Sequence, residues 1–540
     1  MTSKGRMLAE LAFVTVALFL SGCTRACKSR PEPVLELPRD GGVAGTMPTA
    51  ATSAGNGVPT GPCEHAGPGA DYPVGPGRKY ESIGAVPWER LGPGDTVRIY
   101  ARPEPYHEKI MLSGVGHPNA PIRVCGVPDE NGQLPIIDGE DATTRATLDF
   151  PYDGHQPRGL VIIGHKHGDP WTLQPEHLIV ESLEIRGAEP PHSFKDKTGK
   201  ETAWAPLAAG IFVQRASHVT IRNCVIHDNG NGLFIGTSGD IELTQDVLIE
   251  GNYVYGNGSP NEYYEHNIYN EASGVVYQFN RLGPPKSGPQ GVLGANIKER
   301  SADVVIRFNW IEDGAHLIDL VDSQEARDRN LADPKFHESW VYGNVLVRGN
   351  KPSGTMVLYG GDSGILDTYR KGTLHFFQNT VAISNASYPE YQSTGIIELS
   401  TNDESLDARN NVFFAEAKPV PYVPVAILGG RDGVIAGRAM LAGNWISDGV
   451  RATDGMPGKE PKLTAEVRGF DASHFGREPG FFDVGKFDFR PKPAASIVGK
   501  GVSLDGLGGH AVDHEYVPHG KSALRALASP PTPGAFAPVP

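Results

Sequence analysis

Two stretches of fifteen residues superpose: HNIYNEASGVVYQFN over residues 266–280 and ANIKERSADVVIRFN over residues 295–309. When they are aligned on their closing asparagines, Asn280 and Asn309, Ile268 falls on Ile297. Apolar and polar residues alternate around both isoleucines, which is typical of a strand with two different faces. If the stretches are neighbouring turns of one coil, the isoleucines point inward. We therefore expect one outward face to carry the function, formed by Asn267, Tyr269, Glu271, Asn296, Lys298 and Arg300.

The asparagines belong to a longer repeat, in which each is followed two positions later by an apolar residue. The members are Asn223, Asn252, Asn280, Asn309, Asn344, Asn379, Asn411 and Asn444. A period of about thirty residues with strand–turn–strand content predicts an all-β solenoid, because propeller repeats are longer and leucine-rich repeats have another consensus. Asparagine tolerates left-handed backbone and bonds to neighbouring backbone groups, so these residues are expected to stack in a ladder at left-handed turn positions.

The composition of the chain argues for and against particular classes of binding partner. The 540 residues include 67 glycines and 45 prolines, which indicates many turns, and the formal net charge of −14 argues against nucleic acid as a partner. Residues 281–307 are locally basic, with five basic residues against two acidic ones. They form either a patch for an acidic ligand or an ordinary solvated face.

The N-terminus has the pattern of an export signal over residues 1–22, with basic residues ahead of a short apolar run. Leu20-Ser21-Gly22-Cys23 looks like a bacterial lipobox, which implies cleavage before Cys23 and attachment of lipid to its thiol. Thr24 follows instead of the aspartate of an inner-membrane retention signal, which implies an outer-membrane lipoprotein in a Gram-negative cell. The predicted partner of the anchor is thus the membrane.

Further boundaries follow from composition. Residues 23–70 are predicted to be a flexible tether, residues 71–510 the solenoid, and residues 511–540 a C-terminal extension with a disordered proline-rich tail from Ser529. Residues 80–91 are read as a short helix, and residues 194–204 and 325–339 as projecting loops. Because export permits disulfides, Cys63 and Cys125 form a candidate pair, whereas Cys224 is expected in the core.

The recurrent V-x-I-x-x-N-x-V coils, the PGDTV opening at residues 93–97 and the FDFRPKPAASIVGKG segment at residues 487–501 resemble right-handed parallel β-helix proteins of the pectate-lyase-like superfamily. The resemblance implies a single-stranded β-helix with an N-terminal cap and long loops between the third strand of one coil and the first strand of the next. This fold hosts lyases, hydrolases, epimerases and non-catalytic adhesins, so it does not fix the function.

The outward face is similar to that of alginate lyases and chondroitinase B, in which a coil-borne lysine is the base and an arginine assists it. The resemblance implies β-elimination on an acidic polysaccharide, which needs a clamp for the uronate carboxylate, a base and an acid. The residues carried over as catalytic are Lys298, Arg300, Tyr269 and His266. Those expected to bind substrate are Asn267, Glu271, Asn296, His316, Asp319 and Asp322.

The resemblance is incomplete, because the family's arginine lies on the next coil, which here reads AHLIDLVDS over residues 315–323. Asn267 and Glu271 are the only candidates for the family's Ca²⁺ ligands. Two alternatives stay open. Asp319, Asp322 and Glu271 could provide a carboxylate pair for glycoside hydrolysis. Glu271 and Arg300 could instead simply pair across adjacent coils, on a lipoprotein that binds glycan without cleaving it.

Overall fold

The computed structural model describes residues 62–170, 172–237, 244–349, 355–383, 394–416, 425–430, 434–453, 462–518 and 520–539. Within these residues the chain winds as a right-handed parallel β-helix around three long parallel sheets. Each coil contributes one strand to sheet 1, then one to sheet 2 and one to sheet 3. The predicted all-β solenoid is confirmed. No helix in the described part of the chain is long and apolar enough to cross a bilayer.

Sheet 1 contains Ile110–Leu112, Gly159–Ile163, Ala209–Gln214, Asn231–Gly236, Ile268–Asn270, Ile297–Glu299, Ile318–Leu320, Val357–Tyr359, Thr394–Leu399, Val425–Gly429 and Arg451–Thr453. Sheet 2 contains Asp71–Val74, Thr96–Tyr100, Ile122–Val127, Glu176–Glu181, Ser217–Arg222, Gln245–Glu250, Ser273–Gln278, Ala302–Arg307, Glu338–Tyr342, Thr373–Phe377, Ser405–Arg409, Arg438–Ala442 and Glu466–Arg468. Sheet 3 contains Ile136–Asp138, Glu184–Arg186, Val225–His227, Tyr253–Tyr255, Arg281–Leu282, Trp310–Glu312, Val345–Arg348, Thr380–Ile383, Val412–Ala415, Trp445–Ser447 and His474–Gly476.

Smaller elements decorate the coils. Short strands are Ala142–Thr143, Ser193–Lys195, Glu201–Ala203, Ser287–Gly288, Gly291–Val292, Val434–Ile435, Lys462–Leu463, Phe481–Asp483, Asp488–Pro491, His514–Val517 and Lys521–Leu524. One α-helix spans Arg327–Ala332, and 3-10 turns span Ile83–Ala85, Trp88–Arg90, Asp153–Arg158, Pro334–His337, Leu366–Thr368 and Val484–Lys486. The helix predicted over residues 80–91 is therefore wrong: two 3-10 turns replace it, with Pro87 between them.

The register predicted for the two fifteen-residue stretches is confirmed. Ile268 pairs with Ile297, Tyr269 with Lys298 and Asn270 with Glu299 on adjacent strands of sheet 1. Both isoleucines are fully buried in the apolar interior. The interior is built from inward-facing Val, Ile and Leu of all three sheets, so each coil buries its apolar residues against the coils above and below it.

The asparagine ladder is confirmed from Asn252 onward. Each backbone N–H donates to Oδ1 of the asparagine on the next coil, at 2.8–3.0 Å, through Asn252, Asn280, Asn309, Asn344, Asn379, Asn411 and Asn444. Asn223 is not a member, because Cys224 occupies the equivalent position and donates to Asn252. The predicted left-handed backbone at the ladder residues is also wrong. The preceding residue adopts it, as at Phe279 with φ 58° and Phe308 with φ 55°.

The two ends of the chain differ from the prediction. A disulfide joins Cys63 to Cys125 as predicted, so residues 62–70 are fastened to sheet 2 and are not part of a free tether. The predicted core position of Cys224 is confirmed. The strands of the coils end at residue 476, and the later residues cover sheet 3 and part of the neighbouring surface of sheet 2. Ala535 and Phe536 pack there against Val412 and Phe414, so the prediction of a disordered tail is wrong for residues 529–539.

The two predicted projecting loops are present, but they lie on different sides of the coil. Residues 194–204 hold an antiparallel pair of short strands between sheet 3 and sheet 1. Residues 325–339 contain the α-helix and one 3-10 turn, and they connect sheet 1 to sheet 2. A second connection between sheets 1 and 2 spans residues 360–372. These two connections wall the same side of sheet 1 at consecutive coils.

Candidate functional site

One register position on the outer face of sheet 1 changes character in the middle of the solenoid. In successive strands this position is occupied by Ile162, Phe212, Phe234, Tyr269, Lys298, Asp319 and Leu358. The neighbouring residues Tyr269 and Leu358 show that the solenoid can fill this position without charge, and a charged residue returns at Glu398, on the strand after Leu358. The buried charges of Lys298 and Asp319 therefore cost stability that an apolar pair would not. Such a pair marks a candidate site.

Lys298 and Asp319 belong to a row of five charged residues whose signs alternate. Nζ of Lys298 lies 2.6 Å from Oδ2 of Asp319 and also contacts Oδ2 of Asp362. Nη2 of Arg300 lies 3.5 Å from Oδ1 of the same Asp362, and Nη1 donates to the Asp322 carbonyl at 2.6 Å. Lys298 and Arg300 are only 7% and 5% exposed. We call Lys298, Arg300, Asp319, Asp322 and Asp362 the charge chain.

Two histidines beside the charge chain have opposite tautomers in their neutral forms. Nδ1 of His266 accepts from the Ala295 N–H at 3.0 Å, so its proton lies on Nε2. Burial, and then the charge of Lys298, lower the pKa of His266 to about 3. Nδ1 of His316 donates to the Thr355 carbonyl at 2.7 Å, which leaves a lone pair on Nε2. One ring can thus donate through Nε2, and the other can accept.

The carboxyl groups of the site also differ in protonation. Burial raises the pKa of Asp319, but the adjacent Lys298 outweighs this effect and holds the pKa at about 2, so the group is ionised. Oδ1 of Asp319 is buried and has no hydrogen-bond partner. Burial, and then the charge of Glu271, raise the pKa of Glu325 to about 8. Glu325 is therefore a protonated acid at neutral pH, a few residues along the chain from ionised Asp322.

Tyr269 lies between the aromatic and the charged parts of the face. Its ring stacks on Phe234 with centroids 4.6 Å apart, and its hydroxyl lies 3.5 Å from Oε2 of Glu271. Burial, and then Glu325, raise the pKa of Tyr269 well above its usual value, so the phenol keeps its proton. Tyr269 can serve as a proton donor.

Glu271 has a different environment from the predicted one. Its Oε1 accepts from Ser323 Oγ and from the backbone N–H groups of Gln324, Glu325 and Ala326, at 2.6–3.1 Å. The side chain is fully buried and anchors the start of the loop that carries Glu325. It is therefore not an open surface partner of Arg300, and burial raises its pKa.

The outward orientation predicted for Asn267 and Asn296 is wrong. Both side chains are fully buried, and Nδ2 of Asn267 donates to Oδ1 of Asn296 at 2.7 Å. A second, shorter amide ladder runs from Asn229 through Asn257 to these two residues. Asn267 and Asn296 close a turn before their strands, where strand alternation does not apply. They are placed to support the coil rather than to touch a substrate.

The residues proposed for Ca²⁺ do not fit a cation. The Asn267 oxygen accepts from Asn257, and Oε1 of Glu271 already accepts from four donors. In the described ranges no group of three or more His, Cys, Asp or Glu residues has an arrangement that could hold a metal ion.

The basic residues of 281–307 do not form a single patch either. Arg281 pairs with Glu312, Lys286 with Glu189, and Arg307 bonds to Gln278, each away from Lys298 and Arg300.

Asp362 belongs to the site, and Glu325 is near enough to Arg300 and Tyr269 for their charges to interact, but no sequence pattern distinguishes either acid. Asp362 lies in Gly360-Gly361-Asp362-Ser363-Gly364, within one of the two longest repeat intervals, and Glu325 begins the loop noted above. The length of these intervals signals an insertion, but no periodicity fixes where its side chains point.

A family model for part of the chain agrees with the fold. Residues 202–413 match a family model described as a right handed beta helix region. Solved structures with similar chains include pectate lyase Pel9A, with 11% identity, TM-score 0.43, and coverage of 87% of this chain and 96% of that one. Others are an alginate lyase from Paenibacillus sp. str. FPU-7, with 12% identity, TM-score 0.32, and coverage of 70% and 94%, and a lacto-N-biosidase from Eubacterium ramulus, with 12% identity, TM-score 0.37, and coverage of 76% and 68%.

No curated protein sequence matches the chain. The matched region spans the coils that carry the site, and three stacked parallel sheets run through it. The chain is a right-handed parallel β-helix protein.

Proposed function

We propose that the protein cleaves an acidic polysaccharide by β-elimination at the charge chain on sheet 1. The observation that carries this proposal is that Lys298 and Arg300 together hold one carboxylate, that of Asp362. β-Elimination on a uronate requires its carboxylate to be neutralised, because removal of the C5 proton places further negative charge on that group. A lysine and an arginine that converge on one carboxylate suit this task.

In this proposal Lys298 clamps the substrate carboxylate instead of acting as the base. Its Nζ is already committed to ion pairs with both Asp319 and Asp362. His316 is the better candidate for the base, since Nδ1 is committed to the Thr355 carbonyl and Nε2 has the lone pair. The base takes the C5 proton, and the C5–H electrons form the C4–C5 double bond as the bond from C4 to the leaving oxygen breaks.

The leaving oxygen needs a proton, and two donors lie near the clamp. Tyr269 keeps its phenolic proton, and His266 carries a proton on Nε2. Both lie on the coil before Lys298, whereas His316 lies on the coil after it. The acid and the base are thus contributed from opposite sides of the clamp, which suits a glycan that crosses the coils.

The test is to incubate the purified protein with a panel of uronic acid polymers and follow the ultraviolet absorbance of the unsaturated product. Wild type is expected to generate it on at least one polymer, and His316→Asn to slow turnover by about 100-fold or more. His167→Asn, at an exposed histidine on a different part of the solenoid, is the matched control. Absence of the unsaturated product on every uronate polymer would refute β-elimination.

Glycoside hydrolysis is the second candidate, and the pKa of Glu325 favours it. A protonated carboxyl group on the loop that follows ionised Asp322 is the kind of acid that hydrolases use beside a carboxylate base. Glu325 would protonate the glycosidic oxygen, and Asp362, at 25% exposure of its side chain, would activate water. Hydrolysis yields new reducing ends without ultraviolet absorbance. Binding of a glycan without either product would instead mark a non-catalytic protein.

We further infer that the protein is exported and anchored to the outer membrane by lipid on Cys23, which lies outside the described residues. The Cys63–Cys125 disulfide supports export, because such bonds persist in oxidising compartments. Cys23→Ser is expected to release the protein from the membrane fraction without detergent. Retention of this variant in the membrane pellet would contradict the lipid anchor.

A further inference from the structure

Lys298 and Arg300 form the clamp, and Asp362 occupies it in the way a bound ligand carboxylate would. One of its oxygens contacts Nζ of Lys298, and the other lies 3.5 Å from Nη2 of Arg300. Both cations belong to the outer face of sheet 1, whereas Asp362 comes from the separate connection of residues 360–372. The clamp therefore already has the shape and charge of a carboxylate-binding site, filled by a carboxylate of the chain itself.

The backbone of this connection is firmly attached, whereas the Asp362 side chain is partly exposed. Arg370 is fully buried and donates to the carbonyls of Val321 and Glu299, at 3.0 and 3.2 Å. Oδ1 of Asp322 accepts from the N–H of Asp362 at 2.8 Å, and its Oδ2 accepts from Thr368 Oγ1 at 3.3 Å. These bonds fix the connection at Asp362 and at Thr368, on both sides of residues 363–367, which we call the tip. Rotation of one partly exposed side chain would thus open the clamp.

The tip itself presents an apolar surface beside the clamp. Ile365 and Leu366 are 56% and 57% exposed, unlike the buried apolar residues of the coils. Gly364, with φ 80°, precedes them, and nothing lies within 4 Å of where its side chain would be. Two exposed apolar side chains thus follow Asp362 closely along the chain.

We propose that Asp362 is an intramolecular substitute for a ligand carboxylate, which a sugar bearing a carboxylate displaces from Lys298 and Arg300. This inference rests on the proposed function, since it identifies the subsite for the uronate group. A ligand carboxylate cannot contact both cations while Asp362 does, because the two groups would need the same position between Nζ of Lys298 and Nη2 of Arg300. Without ligand, Asp362 is a second acidic partner for both buried cations, beside Asp319 at Lys298 and Asp322 at Arg300.

The experiment is to measure the affinity of the full chain for glucuronate, galacturonate and mannuronate by calorimetry. Asp362→Asn is expected to bind at least one of them about tenfold more tightly than wild type, because the variant no longer needs to vacate the clamp. Asp367→Asn is the matched control. It makes the same change of charge in the same connection, at a fully exposed residue whose contact is Lys371. Adding Arg300→Gln to Asp362→Asn should abolish the gain.

Asp362→Ala provides a second variant, and thermal melts verify that each protein is folded. The inference is overturned if no uronate binds the Asp362 variants more tightly than it binds Asp367→Asn. Turnover plays no part in this readout. A protein that binds uronates in this way but cleaves no polymer would refute β-elimination and support the inference, and an active lyase with unchanged affinity in the Asp362 variants would do the reverse.

Discussion

Lys298 and Asp319 face each other across adjacent coils of sheet 1, with Nζ 2.6 Å from Oδ2 and both side chains nearly buried. The coil before this pair has Tyr269 at the same register position, and the coil after it has Leu358. The pair is thus enclosed by residues that would pack well against an apolar substitute. A buried ion pair at such a position is explained by function rather than by stability.

Removal of one partner of this pair should cost more than removal of both. Lys298→Met leaves Asp319 buried without its cation and is expected to lower the free energy of unfolding by about 3–5 kcal/mol. Lys298→Met combined with Asp319→Leu should restore at least half of that loss, since both new side chains are apolar. Urea unfolding measures both values. The control is Lys335→Met, which removes an exposed ion pair with Asp303 and should cost under about 1 kcal/mol. A double variant no more stable than Lys298→Met would contradict this account.

The asparagine ladder should be a main determinant of stability. Oδ1 of Asn280 accepts from both the backbone and the side-chain nitrogen of Asn252, and Nδ2 donates to the Ile249 carbonyl at 2.8 Å. Asn280→Ala leaves several buried groups without partners, at about 1–3 kcal/mol each, and should lower the melting temperature clearly. Asn223→Gly is the control, because Asn223 lies outside the ladder and glycine preserves its positive φ of 52°. Equal melting temperatures for the two variants would contradict the assigned role.

These two cases show what could be predicted from the sequence. The period fixed the coils and the ladder, because it repeats through the interior of the whole solenoid. Asn223 is wrongly assigned to the ladder because the rule of an apolar residue two positions later also fits Cys224, one residue further on. The pairing of this strand with the strand of the next coil shows which of the two registers is correct. Asn267 and Asn296 were misassigned because alternation holds only inside a strand.

Lys298 and Asp319 lie within strands, so their shared face was predictable. Asp362 and Glu325 come from insertions whose conformation depends on tertiary contacts.

Acid should destabilise the protein through His266. The unfolded ring binds a proton below its usual pKa of 6.5, whereas the folded ring stays neutral until its pKa of about 3. The unfolded state therefore binds more protons between these values, and the free energy of unfolding should fall as the pH is lowered from 6.5 to 3, by at most about 1.4 kcal/mol per pH unit. Urea unfolding at several pH values measures this slope.

His266→Asn should reduce that slope, because the amide oxygen can still accept from the Ala295 N–H but does not titrate. Some slope will persist, since burial also lowers the pKa of His155 to about 4. The exposed His167→Asn change should leave the slope unaltered. If His266→Asn has the wild-type slope, the ring is not held neutral in the folded protein.

The pH dependence of turnover should separate the two proposed reactions through Glu325. Its pKa of about 8 means that the carboxyl group loses its proton as the pH rises through that value. If Glu325 is the acid of a hydrolase, turnover should fall above about pH 8, and Glu325→Gln should reduce it by about 100-fold or more. If β-elimination occurs instead, the base is His316 and the donors are Tyr269 and His266, so Glu325→Gln should remain active while His316→Asn is not.

Glu262→Gln, at an exposed glutamate outside the site, controls for the change of charge. The measurement is turnover from pH 5 to 10 on whichever polymer the wild type cleaves, for the wild type and all three variants. Full activity of both Glu325→Gln and His316→Asn would place the chemistry elsewhere on the molecule.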